Sequence, residues 1–202
     1  MTKLENPQSL RPRWPTRWHN ENSEAGDSEM TEILKSCATA ALFVIGSALS
    51  ATAAPKLSST QQDWSVFTDT SPIECWAVTA PVSSVATKAG KATTVQRGEI
   101  GLFVTYRRGA QSGEISFRGG YPFAAGSQVT MALNSGATFT LFTQGEGAWP
   151  NTPADDAKIL AALKGAGTAV ITGTSARGTV TTDKISLMGV SAATDAARGL
   201  CR

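Results

Sequence analysis

An uncharged apolar run from Cys37 to Leu49 decides which part of this chain can fold as a globular domain. The run has 13 residues, fewer than the roughly 20 that a membrane-spanning helix needs. It follows Lys35 and precedes Ala51-Thr52-Ala53. A basic start, a short apolar centre and small residues spaced as A-x-A are typical of a signal peptide. We therefore predict cleavage after Ala53, and an uncleaved membrane anchor is the competing interpretation.

The residues before this run do not have the composition of a folded domain. Residues 1–29 are polar and charged, contain three prolines and show no apolar periodicity, so they cannot bury enough apolar surface to form a core. Counting from Met30 gives a signal peptide of ordinary length at residues 30–53. We expect translation to start at Met30, which makes residues 1–29 an over-extended or disordered N-terminal segment.

Residues 54–202 then form the exported part of the chain, with the size of one domain that has a sizeable core. This part contains thirteen Lys/Arg and ten Asp/Glu residues, a net charge of +3. So small an excess does not indicate nucleic acid or an anionic membrane as the main partner. Membrane contact is expected only through the transient signal peptide.

The cysteines indicate one structural disulfide. Cys37 is removed with the signal peptide, which leaves Cys75 and Cys201. In the oxidising compartment that an exported chain enters, paired thiols usually form a disulfide. A bond between Cys75 and Cys201 would fix the C-terminal segment to an early strand, and a redox-active pair would need a C-x-x-C spacing that is lacking here.

The exported part contains no histidine, because the single one, His19, lies in the discarded segment. Histidine is the commonest general base near neutral pH and a member of the Ser-His-Asp and Cys-His groups. Zinc sites also depend on histidine or free cysteine. We therefore expect no enzymatic activity, no metal and no cofactor, although catalysis by carboxylates stays formally open.

Period-2 patterns predict about eight short strands. Asn134-Ser135-Gly136 lies between two of them as a hairpin turn. Chain segments with this alternation are 63–68, 74–80, 99–106, 114–118, 127–133, 137–143, 168–172 and 178–189.

Two helices are expected as well. Thr152 as N-cap, Pro153 at the first position and two acids in the first turn predict a helix that ends at Gly165–Gly167. A short final helix is expected over Ala192–Leu200. The pattern as a whole predicts a mainly β fold, an antiparallel β-sandwich or a partly open barrel, with one inserted helix and a short C-terminal helix.

Aromatic and basic residues in loops are the candidate binding residues. Three lie in the segment RGGYPF, one precedes the first helix, and one lies in the turn SARG, where it could bind an anion together with backbone N–H groups. In order they are Arg118, Tyr121, Phe123, Trp149 and Arg177. The alternative is that the aromatic residues plug the ends of the fold and that Arg177 forms a salt bridge in a plain turn.

Several of these segments, in this order, resemble the invasion-associated locus B (IalB) family of Gram-negative bacteria. They are WSVFTDTSPIECWAV, GEISFRGGYPFAAGS, FTQGEGAWP with DDAKILAALKGA, and TGTSARGTVTTDKISLMGVSAA. The similarity covers about Asp63 to Cys201. It implies an exported β-rich protein of the cell envelope, and for the founding members an association with host-cell entry. It implies no catalytic residue.

Three functions are therefore considered for a protein that is periplasmic, secreted or attached to the outer membrane. The leading hypothesis is a non-enzymatic envelope protein that binds another envelope or surface protein, or a surface ligand. The second is a hydrolase in which two carboxylates would have to converge in a pocket, about 5 to 10 Å apart. Its candidates are Glu74, Glu99, Glu114, Glu146 and Asp183. The third is a purely structural envelope component.

Overall fold

The computed structural model describes residues 54–70, 73–110 and 112–202. The predicted signal peptide, its cleavage site and the segment before it lie outside the described residues. Twelve strands and two helices occur in the described part of the chain. The strands are β1 (Lys56–Gln61), β2 (Trp64–Thr70), β3 (Ile73–Thr79), β4 (Pro81–Lys88), β5 (Lys91–Ala92), β6 (Gly101–Arg107), β7 (Glu114–Arg118), β8 (Gln128–Leu133), β9 (Thr138–Gln144), β10 (Gly147–Trp149), β11 (Thr168–Thr174) and β12 (Thr179–Ser186). The helices are α1 (Pro153–Lys164) and α2 (Val190–Leu200).

The strands form one antiparallel sheet in the order β1-β2-β3-β6-β7-β10-β9-β8-β11-β12-β4-β5. This sheet curls until the start of β2 meets the end of β12, where the Trp64 indole N–H donates to the Ser186 carbonyl at 3.2 Å. The backbone N–H of Asp63 also donates to the Met188 carbonyl. The prediction of a mainly β, antiparallel fold is confirmed.

The described part of the chain has twelve strands, whereas the period-2 patterns predict about eight. The strands that were not predicted are β1, β4, β5 and β10. Two of them have only two or three residues, too few for a period-2 pattern to be visible. The longest, β4, starts with a proline and is exposed along most of its length, so its apolar residues do not alternate with polar ones.

The inner face of the curled sheet holds the core. Alternate residues of the strands point to this face, because side chains alternate along a strand. Its fully buried members include Trp64, Val66, Ala77, Leu102, Val104, Ile115, Val129, Met131, Leu141, Ile171 and Ile185. The pairs Val66–Ala77, Ala77–Val104 and Val104–Ile115 lie opposite each other across neighbouring strands. Cross-strand pairs of this kind stabilise the sheet and set its register.

Both predicted helices are present. At the start of α1 the Thr152 side chain accepts a hydrogen bond from the Asp155 N–H, as the sequence indicated. The second helix begins at Val190, two residues before the predicted start, and packs on β2 and β3. Its buried side chains are Val190, Ala193, Thr194 and Ala197.

The predicted disulfide is confirmed. Cys75 on β3 is bonded to Cys201 just after α2, with 5.8 Å between the two Cα atoms. Trp76 points to the opposite face of β3, as expected from strand alternation. It is nevertheless fully buried and stacks on Phe67 with 5.7 Å between the ring centroids. No helix of the described residues is long and apolar enough to cross a membrane.

Candidate functional site

A cleft of about 580 Å³ opens at the end of the sheet where β12, β4 and three loops meet. One wall comes from Lys88 at the end of β4 and from Thr179 and Thr181 on β12. The segment 93–97, which follows β5, forms the second wall. The segments 120–122 and 175–177 close the third side.

Arg97 forms the base of the cleft and joins two distant parts of the sheet. Its guanidinium makes a two-pronged ion pair with Asp183 on β12, with Nη1–Oδ1 and Nη2–Oδ2 distances of 2.7 and 2.8 Å. Its Nε and Nη2 also donate to the carbonyl of Gly119, just after β7. Ser84 on β4 donates a further hydrogen bond to Asp183. Both charged side chains are almost completely buried, and a buried ion pair needs such additional hydrogen bonds to offset desolvation.

Tyr121 is held in the cleft from two sides. The guanidinium of Arg97 lies over its ring, 4.9 Å from the centroid, within the range of a cation–π contact. Its hydroxyl is hydrogen-bonded to the Thr181 hydroxyl at 2.6 Å. Burial raises the pKa of Tyr121 above its ordinary value, so the phenol stays protonated at neutral pH. The ring is therefore a fixed, neutral part of the wall.

Backbone hydrogen bonds fix the loops around Tyr121. The N–H of Ala176 donates to the Pro122 carbonyl, and the N–H of Ala124 donates to the Thr174 carbonyl. On the other side the N–H of Gly98 donates to the Gly120 carbonyl at 2.8 Å. Gly120 has a φ of +70°, and a Cβ there would lie 2.6 Å from the Gly98 oxygen. Only glycine fits such a close approach of two backbones.

Two cations at the cleft lack a carboxylate partner among the described residues. Lys88 and Arg177 are both exposed, and neither forms a salt bridge with another described residue. The one carboxylate of the lining, Glu146, lies 3.4 Å from Arg118. The local charge at the opening is thus positive.

The five predicted binding residues are not all together. Tyr121 and Arg177 line the cleft. Arg118 does not line it but forms a salt bridge with Glu146, which does. Phe123 lies beneath Tyr121, with 5.0 Å between the ring centroids, and is buried in the core. This is the plugging role that the sequence left open for the aromatic residues.

Trp149 lies away from the cleft. It belongs to β10, next to Phe142 on the neighbouring strand β9, with 5.8 Å between the ring centroids. It is buried and is not a member of the main core.

The five candidate carboxylates have different surroundings. Asp183 is bound to Arg97, Glu146 is bound to Arg118, and Glu99 is exposed. Glu74 and Glu114 do converge, because Arg107 bonds to both of them. Burial raises the pKa of Glu74, and the Arg107 guanidinium opposes this rise. No group of three or more metal-ligating side chains occurs in the part of the chain that the structure describes.

The family was decided by comparison with known protein families. The family described as invasion associated locus B (IalB) protein matches residues 64–198. This chain belongs to the IalB family. The match confirms the resemblance noted from the sequence and includes the cleft, from Lys88 to Thr181. Searches of the curated proteins and of the solved structures found no match.

Sequence reasoning did not find Arg97 or Lys88. Arg97 lies in a polar segment without periodicity, and its partner Asp183 is 86 residues away. Lys88 ends a strand that was not predicted. The one usable signal was Asp183, a carboxylate at a core-facing position of a predicted strand, since such a buried charge needs a cation beside it.

Proposed function

We propose that this IalB-family protein is exported to the cell envelope and acts by binding a partner in the cleft, without catalysing a reaction. The observation that carries the proposal is the cleft itself. Its base is fixed by the Arg97–Asp183 pair, while Lys88 and Arg177 at its opening remain unpaired among the described residues. Cations that a protein does not neutralise internally are free to contact a partner.

Export is supported by the sequence of the N-terminal part and by the Cys75–Cys201 disulfide. Structural disulfides persist in oxidising compartments and are rare in the cytosol. The family match adds that related proteins carry the same domain. A role in contact with host cells would be one use of such a binding protein.

A hydrolase remains the second candidate because Glu74 and Glu114 lie close to each other. Both carboxylates are bonded to one guanidinium, that of Arg107. Glycoside hydrolysis needs two carboxylates that flank a bound substrate, and neither Glu74 nor Glu114 lines the cleft. The non-catalytic function is therefore the better supported of the two.

Photo-crosslinking in living cells tests the binding function. A photoreactive amino acid is introduced at Thr94 or Arg177, both exposed in the cleft, and at Thr140 or Lys158, which are exposed elsewhere. We expect the two cleft positions to give discrete adducts that the control positions do not give. Adducts of equal yield at all four positions, or none at the cleft, would contradict the proposal.

The mass of the recovered, uncrosslinked protein tests export in the same cells. We expect a chain that begins at Ala54. A protein that still contains residues 43–49 would instead support the membrane-anchor interpretation.

A further inference from the structure

The placement of Lys88 and Arg177 determines what charge the cleft can accept. Lys88 lies directly opposite Thr179 in the ladder between β4 and β12, so both side chains point to the cleft face. Arg177 precedes Thr179 by two residues in a tight turn, where the Gly178 N–H donates to the Ser175 carbonyl. Both cations line the same cleft, and positive charge that lines one cleft attracts an anion into it.

Arg97 does not compete for that anion. Four hydrogen bonds to Gly119 and Asp183 already use its Nε and both terminal nitrogens. Its charge is compensated by Asp183 at 2.7 Å. The binding cations are thus Lys88 and Arg177, and Arg97 shapes the surface beneath them.

The rest of the lining is rich in hydroxyl groups. Hydroxyl-bearing residues are found on all three walls, namely Thr93, Thr94, Tyr121, Ser175, Thr179 and Thr181. The apolar lining residues are smaller in number and size: Val95, Pro122 and Ala176. Many peptide-binding grooves hold their ligands by apolar anchors, and this lining offers no large apolar pocket.

The volume of the cleft also favours a small ligand. About 580 Å³ lies within the range of roughly 300 to 1,000 Å³ that is usual for small-molecule sites. A short oligosaccharide has this size. Its ring hydroxyls both donate and accept hydrogen bonds, as the exposed Thr93 and Thr94 hydroxyls of the second wall can.

We propose that the cleft binds an anionic saccharide, with a carboxylate of the sugar between Lys88 and Arg177 and its hydroxyl groups against the exposed Thr93 and Thr94 side chains. This inference rests on the proposed function, because it assigns a ligand class to the same cleft. Sugar acids occur as free molecules and as parts of surface polysaccharides, and the same cleft residues would recognise both.

Titration calorimetry on the purified exported protein tests this assignment. The probes are trigalacturonic acid, galacturonic acid, neutral maltotriose, inorganic phosphate and a tetraglutamate peptide. We expect trigalacturonic acid to bind, more weakly at higher salt because exposed charges are screened, and maltotriose to bind at least tenfold less tightly. Equal affinity for galacturonic acid would indicate a free sugar acid as the source, and preference for the trimer would indicate a polysaccharide.

Matched charge variants locate the site. The double variant Lys88→Ala/Arg177→Ala should weaken trigalacturonic acid binding about tenfold or more, the equivalent of about 1.4 kcal/mol. The control Lys158→Ala/Lys184→Ala removes the same charge from exposed positions outside the cleft lining and should change binding less than threefold. All four side chains are exposed, so folding is expected to be unaffected.

Three results would overturn the inference. The first is an equal loss of binding in the two double variants. The second is an affinity for phosphate or for tetraglutamate that equals the affinity for trigalacturonic acid. The third is that neither trigalacturonic acid nor galacturonic acid binds. If crosslinking from Thr94 still captures a partner in the last case, the proposed binding function stands and only the ligand class is wrong.

Discussion

At the scale of single residues, Asp156 is a carboxylate placed where its charge is disfavoured. It lies in the first turn of α1, where an acid is stabilised by the helix dipole, but it is buried and its Oδ1 accepts a hydrogen bond from the Ile115 N–H at 2.7 Å. The ladder between β7 and β10 ends at the pair Phe117–Ala148. The Asp156 side chain therefore replaces a missing strand partner of β7.

Asp156 should make stability depend on pH. Burial raises its pKa to about 7, with Glu114 and Asp155 adding to the rise and the Ile115 N–H opposing it. The folded state then holds a proton that the unfolded state releases between about pH 4 and 7, so stability falls as pH rises through this interval. Asp156→Asn keeps an acceptor for Ile115 and removes the charge. We expect its free energy of unfolding in urea to exceed that of the wild type by roughly 1 to 3 kcal/mol at pH 8.

The difference between Asp156→Asn and the wild type should shrink towards pH 5, where the folded wild type is also protonated at this position. Asp155→Asn is the control in the same turn. A hydrogen bond from Thr152 and another from Lys158 lower the pKa of Asp155. Removing the charge of Asp155 should therefore not stabilise the protein at pH 8. Superimposable pH profiles of wild type and Asp156→Asn would refute the role of Asp156.

At the scale of the elements, the sequence predicts those helices and strands whose determining residues lie close together in the chain. The helix α1 has its cap, its proline and its terminating glycines within about 15 residues, and it was predicted correctly. By contrast, β4 is defined by its pairing with β12, about 100 residues later. The cleft was missed for the same reason, because Lys88, Arg97 and Thr181 meet only after the sheet has curled.

The close approach of the segments 97–99 and 119–121 depends on Gly120. In Gly120→Ala the new Cβ would collide with the Gly98 carbonyl, in addition to the cost of a positive φ. Gly126→Ala is a matched control, since Gly126 has a φ of +69° and a Cβ added there would have no atom within 4 Å. We expect thermal unfolding to show that Gly126→Ala lowers the free energy of unfolding by about 1 kcal/mol, because alanine is disfavoured in the left-handed backbone conformation.

Gly120→Ala should lower the free energy of unfolding by at least about 1 kcal/mol more than this control does. The added Cβ collides with backbone atoms, which cannot move away as a flexible side chain could. It should also perturb the cleft, which can be followed by the near-ultraviolet circular dichroism of Tyr121 as a difference from a Tyr121→Phe variant. Equal losses of stability in the two glycine variants would mean that the loop contact contributes nothing.

At the scale of the whole molecule, the disulfide joins the third strand to the C-terminus across 126 residues. Cys201→Ser should lower the free energy of unfolding by about 2 to 4 kcal/mol. Because Val190, Ala193 and Ala197 bury α2 against β2 and β3, the first turns of α2 should stay in place. Hydrogen exchange should rise mainly in residues 198–202. An unchanged melting temperature, or two free thiols in the exported protein, would contradict this account.

The same bond would set an order of events during the export that we propose. A chain that leaves the cytosol from its N-terminus would deliver Cys75 to the oxidising side 126 residues ahead of Cys201. The Cys75 thiol would therefore wait, reduced or in a mixed disulfide with an oxidising enzyme, until Cys201 had also crossed. A product truncated before Cys201 would keep an unpaired thiol at Cys75, on which enzymes that act on free thiols could recognise it.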